Sequence, residues 1–227
     1  LGNLNAVGED NHKYEVFRVL NLINFWIYGW ASIGIIVLSN DIVELFFGSE
    51  YVMQIWIPII LSINFYILGM QCVVGIYKST MGLFKFGQYI LLITASLNLI
   101  GDVILGQRFG VFGIFLATAI ARLVTNVWYD PFVIFKYGFH RKFKLYLMRY
   151  IGYAMILAVS CLVTYEICNL FQLSLVFRLL LKVLICMIFP NVIFILAFYR
   201  LPEFKYLLRI IKTLKKNISS KIFRKNN

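Results

Sequence analysis

Residues 175–199 read LVFRLLLKVLICMIFPNVIFILAFY, and only Arg178 and Lys182 in this stretch carry a charge. As an α-helix the run would be about 37 Å long, more than the roughly 30 Å of hydrocarbon in a bilayer. It is apolar all round and so suits lipid or a deep interior, not a helix with one face in water. Outward from it, the chain holds further runs of this kind at 17–39, 54–77, 88–106, 111–135 and 146–168. Of the 227 residues 61% are hydrophobic and 14% charged, whereas soluble domains carry about 25% charge. The predicted fold class is therefore an all-α integral membrane protein with six transmembrane helices.

The segments between the runs are short, and their charges alternate. Lys13 precedes the first run and Arg18 lies at its start, and Lys78 and Lys85 follow the second. Lys136, Arg141, Lys142, Lys144 and Arg149 follow the fourth. Arg200, Lys205, Arg209, Lys212, Lys215, Lys216, Lys221, Arg224 and Lys225 follow the sixth. These are 18 of the 22 basic residues, and six crossings place them all on one side. The other side has Arg108 and Arg178. Lys and Arg accumulate in cytoplasmic loops, so the basic side is predicted to be cytoplasmic. A net charge of +12 then reflects topology, and no nucleic-acid partner is expected. The predicted organisation is a cytoplasmic loop at 1–16, a six-helix lobe at 17–199 and a tail at 200–227. Residues from Leu1 onward read as the interior of a longer protein, with the loop following a helix that is missing here. In the tail, Phe204, Leu207, Leu208, Ile211, Leu214, Ile218 and Ile222 recur at helical spacing, with Lys205, Arg209, Lys212 and Lys216 mostly opposite. Such a basic amphipathic helix suits the headgroup layer of an anionic membrane lipid surface.

The runs are not uniformly apolar. Arg18, Asn21, Asn24, Tyr28 and Ser32 share one face of the first, and Asn64, Gln71 and Gly75 one face of the second. Thr94, Asn98 and Asp102 mark the third. Thr118, Arg122, Thr125, Asn126 and Tyr129 mark the fourth, and Lys182, Pro190 and Asn191 the sixth. Unpaired polar groups in lipid cost several kcal/mol, so these faces must meet protein or a water-filled cavity. A single Asn or Thr more often glues two helices together. Arg122 lies deep in its run, where an arginine costs about 2.5–3.5 kcal/mol and marks a functional position by default. Asp102 and Asp130 are its candidate partners. Lys182 and Arg178 lie nearer an end and could snorkel. The candidate cavity-lining set is Arg122, Asn98, Asn126, Asn24, Tyr28, Asn64, Gln71, Asp102 and Lys182.

Enzyme chemistry has little to stand on. His12 and His140 fall in polar segments outside any ligand spacing. Cys72, Cys161, Cys168 and Cys186 lie in apolar runs with neither zinc nor disulfide spacing. Paired carboxylates, a phosphate-binding glycine loop and a nucleophile motif are absent from the sequence. No catalytic residue, cofactor or metal is predicted.

An ordered series of short motifs adds a resemblance. Gly2-Asn3-Leu4-Asn5-Ala6 precedes the first run. Phe47-Gly48-Ser49-Glu50-Tyr51 comes next, then Pro58, Gly82-Leu83-Phe84 and Ser96-Leu97-Asn98-Leu99. Gly110-Val111-Phe112-Gly113 leads to Ala117-Thr118, and Asp130-Pro131 closes the fourth run. Residues 1 to about 140 resemble the C-terminal half of a Wzx-type polysaccharide flippase. That family belongs to the multidrug/oligosaccharidyl-lipid/polysaccharide exporter superfamily. It often has Glu before the proline where this chain has Asp130, a change that keeps the charge. The resemblance implies a MATE-like two-lobed bundle with alternating access, of which this chain would be one lobe and an N-terminal lobe the partner. It also implies a bacterial inner-membrane location and an undecaprenyl-pyrophosphate-linked oligosaccharide repeat unit as cargo. Arg122 is then the sensible contact for the pyrophosphate. The alternatives are a drug or ion antiporter of the same superfamily, a membrane polysaccharide polymerase or ligase, and an inactive remnant. The short outer segment at 40–53, without a basic residue, speaks against the polymerase.

Overall fold

The computed structural model describes residues 10–171 and 173–225, with side chains over 11–171 and 173–213. The motif at 2–6, the start of the 1–16 segment and the side chains of the distal tail lie outside these limits. All regular elements among the described residues are helical. α1 is Asp10–Phe47, α2 Trp56–Thr80, α3 Gln88–Val124, α4 Asn126–Val133, α5 Lys144–Asn169, α6 Leu175–Phe198 and α7 Pro202–Lys225. Short 3-10 turns at Ser49–Tyr51 and Leu83–Lys85 and a π turn at Ile134–Gly138 join them.

Five stretches among the described residues are long and apolar enough to cross a membrane: Asn11–Phe47, Trp56–Thr80, Gln88–Gly138, Lys144–Asn169 and Leu175–Phe198. The sequence predicts six runs; the third and fourth share one stretch. The reason is local. No loop separates them, and helical structure continues to either side of Gly110, whose φ of 59° and ψ of −140° break the path. That conformation is open to glycine and very few other residues. The two arms of α3 fold back on each other there. Gly101 lies so near Ala117 that an added Cβ would come within 2.8 Å of it, and Gly106 is similarly close to Ile114. In one straight helix Gly101 and Ala117 would be about 24 Å apart.

α1 is the hub. Its Leu22, Phe25 and Ile33 are fully buried, and Phe25 packs on Tyr153 of α5 and on Phe194 and Phe198 of α6, at 4.7, 5.0 and 5.3 Å between ring centres. α1 starts at Asp10, so residues 10–16, predicted as loop, are helix. Tyr14 and Phe17 explain the extension. They join Tyr77, Phe135, Phe139 and Tyr146 in a second buried cluster at this end of the bundle. α6 tolerates Pro190 because α1 repairs it. Proline has no N–H for the carbonyl of Cys186 four residues back, and the indole N–H of Trp30 donates to that carbonyl at 2.8 Å.

The outer surface is apolar. Leu91, Leu92 and Leu99 on α3 are about two-thirds exposed, which is costly in water and harmless in hydrocarbon. The basic segments meet at one end of the bundle. Arg141 donates to Asn11, Lys78 pairs with Asp130, and Arg18 and Arg149 both pair with Glu203.

Candidate functional site

The folded-back arms of α3 enclose a polar seam. Thr94 Oγ1 lies 2.8 Å from Thr125 Oγ1 and donates to Asn126 Oδ1 at 2.6 Å. Asn98 Nδ2 donates to Asp102 at 2.9 Å and to Thr118 at 3.2 Å. Thr118 and Thr125 thus both face the first arm, and Arg122 lies between them, half-buried. Four residues from Thr118 and three from Thr125, it belongs to the same face. Among the described residues its side chain has no ion-pair or hydrogen-bond partner. Both candidate partners are engaged elsewhere. Asp130 is held by Lys78 at 2.6 Å, and Asp102 accepts from Asn98. The predicted pairing of Arg122 with either acid is therefore corrected. α3 ends at Val124, two residues past Arg122, because Thr125 leaves helical geometry at φ −116° and ψ −89°.

The other candidates lie apart from this seam. Asn24 donates to the carbonyl of Gly69 at 2.6 Å. The ring of Tyr28 lies on Gly69, where any side chain would collide with it, and its hydroxyl is 3.7 Å from Cys72 Sγ. Asn64 Nδ2 donates to the carbonyls of Ile60 and Phe115, binding α2 to the second arm of α3. The Nε2 of Gln71 and the Oδ1 of Asn64 are buried without partners among the described residues. Lys182 pairs with Asp41 at 2.6 Å at the opposite end of the bundle from the basic segments. Arg178 pairs there with Asp41 at 3.1 Å and Glu44 at 2.6 Å. This quartet is neutral overall, so it has no spare cation to offer an anionic ligand. Asp41 and Glu44 were legible only as acids near a run's end. Their spacing of three on α1 facing the spacing of four on α6 was the available signal.

One cavity contains none of the predicted residues. It measures about 690 Å³ and is lined by Ser32, Ile36, Tyr66, Tyr150, Ala158 and Tyr165 among others from α1, α2 and α5, with Leu123 from α3. Of its walls only Ser32 stood out in the sequence as part of a polar face; most of the rest are apolar helix residues, and nothing in a run marks which of its faces is left uncovered.

No family model, curated protein or solved structure matches this chain.

Proposed function

We propose that this chain is a six-span lobe of a carrier that moves an undecaprenyl-pyrophosphate-linked oligosaccharide across the bacterial inner membrane, with its basic end in the cytoplasm. The two arms of α3 count as two crossings in this reading, which returns the N-terminal segment and the tail to the same side. The observation that carries it is Arg122. A guanidinium among apolar helices is costly to leave without a counter-ion. Here Lys78 holds Asp130, and Asp102 bonds the neutral Asn98 without pairing with Arg122, so the charge remains available to an anionic group. Asn98, Asn126 and the threonines of the seam offer hydrogen-bonding partners for sugar hydroxyls. The facing N-terminal lobe would complete the path, and α7 would rest on the anionic leaflet through Lys205, Arg209 and Lys212.

Replacement of Arg122 by Gln, at equal abundance in the membrane, should lower export of surface polysaccharide by about tenfold or more, the worth of one charge-assisted contact. Undiminished export would remove Arg122 from the path. A cation-coupled antiporter of the same superfamily reads the seam through Asp102 instead, since that carboxylate has no cation partner among the described residues. Loss of drug or ion exchange in Asp102→Asn, with Arg122→Gln unaffected, would favour that second reading.

A further inference from the structure

Two buried thiols have no part in the carrier reading. Cys168 lies in the last turn of α5 and Cys186 on α6. They are 2% and 4% exposed and belong to one buried cluster. Their spacing along the chain does not mark them as a pair, because they fall on two separate runs. The packing of α5 against α6 brings them together. Toward the basic end, the rings of Tyr153 and Phe198 meet at 5.6 Å between centres. Farther along, Leu157 and Phe194 both lie against Gly29. From the first of these contacts, fifteen residues along α5 reach Cys168, and twelve residues back along α6 reach Cys186. The two levels therefore differ by about 4.5 Å, less than one helical turn. Cys168 also shares a cavity wall with Lys182, which lies one turn from Cys186 on the same face of α6. A hydrogen bond joins the two thiols.

The buried face of α5 allows this approach because its residues are small. Ser160 and Thr164, two turns and one turn before Cys168, are fully buried. Their hydroxyls donate to carbonyls of their own helix, so neither needs a polar partner across the contact. Small side chains of this kind let membrane helices pack closely. The pair lies at the end of the bundle away from the basic segments, where Lys182 pairs with Asp41. In the six-crossing orientation this end faces outward, and disulfides form and persist on that side of a bacterial inner membrane.

We infer that Cys168 and Cys186 form a disulfide that ties α5 to α6 at the outer end of the bundle. The inference rests on the orientation in the carrier reading and not on its cargo. The oxidant is a protein disulfide on the outer side. The thiolate of Cys168 attacks it, one oxidant sulfur leaves and takes up a proton, and a mixed disulfide remains. The thiolate of Cys186 then attacks Cys168 Sγ, and the second oxidant sulfur leaves as a thiol. Two thiols are oxidised, one oxidant disulfide is reduced, and both protons end on the oxidant. Because both thiols are covered in the folded protein, the exchange takes place on the α5–α6 hairpin before α1 packs over it.

The test uses the full chain in its native membrane, denatured directly in N-ethylmaleimide and digested with trypsin. Without reductant, the peptides 150–178 and 183–200 should appear in mass spectra as one cross-linked species, with Cys72 and Cys161 alkylated. Reduction should release both peptides. Cys161→Ser should keep the link, and Cys168→Ser or Cys186→Ser should abolish it. Alkylation of all four thiols without reduction, or a link that survives in Cys168→Ser, would overturn the pair. Labelling of Arg108→Cys from outside by an impermeant maleimide checks the orientation separately, so four free thiols in a chain so oriented count against the disulfide alone. Export enters none of these readouts. Failure here therefore leaves the role of Arg122 open, and unchanged export in Arg122→Gln leaves this pair intact.

Discussion

Glu203 is the one acid in the segment 200–227, and it is 4% exposed while Arg18 and Arg149 both close on its Oε1. It sits in the first turn of α7, where the helix N-terminus also favours negative charge. Removing one member of a buried pair strands the rest, at about 3–5 kcal/mol. Here Arg149 is 35% exposed, so water and salt screen part of the loss. Glu203→Gln should therefore destabilise the protein by about 2 kcal/mol, less than the full buried-pair cost. Thermal unfolding in detergent checks this, and an unchanged midpoint would mean that the triad holds nothing. The sequence disclosed Arg18 and Arg149 and their common side. It could not disclose the triad, because Arg18 and Glu203 are 185 positions apart and only packing brings them together. Arg122 differs: its depth in an apolar run was readable from position alone, but the engagement of Asp130 by Lys78 was not.

At the scale of elements, the fold-back of α3 at Gly110 is the decisive feature. If the arms are antiparallel, Thr94 and Thr125 are neighbours, at 2.8 Å between hydroxyl oxygens. If they formed one straight helix, the two residues would be about 46 Å apart. A Thr94→Cys/Thr125→Cys double variant should therefore form an intramolecular disulfide with mild oxidant, read as protection of both thiols from alkylation. In Gly110→Val the yield should fall, because a β-branched residue at φ 59° costs about 1–3 kcal/mol. Free alkylation of both thiols in the parent double variant would refute the hairpin. The break between the runs at 88–106 and 111–135 was visible in the sequence, with Gly110 in it. What the sequence did not reveal is that the backbone turns there with almost no loop, so that one apolar stretch, Gln88–Gly138, holds both runs. Likewise Pro190 was legible as a proline within an apolar run, but its repair by Trp30 depends on α1 lying alongside α6.

For the whole molecule, the six-crossing reading makes a directional prediction. In a variant lacking the four native cysteines, Lys142→Cys and Lys205→Cys should react with a membrane-impermeant maleimide only in inside-out vesicles. Tyr51→Cys and Arg108→Cys should react only in right-side-out ones. Labelling of Arg108→Cys on the same face as Lys142→Cys would reduce the crossings to five and reverse the assignment of the α3 turn. The sequence by itself determined that the chain is helical and lives in lipid, since hydrocarbon tolerates only long apolar segments with internally satisfied backbones. It also determined the grouping of basic residues, because alternation along the chain is a one-dimensional property. Only the tertiary structure decided which polar groups meet: the seam of Thr94, Asn98, Thr118 and Thr125, the neutral quartet around Asp41, and the uncovered face of α5. In lipid all faces of an apolar helix look alike to composition. Which face is packed, which is bare and which charge is left without a partner follows from the relative placement of helices that lie far apart in the chain.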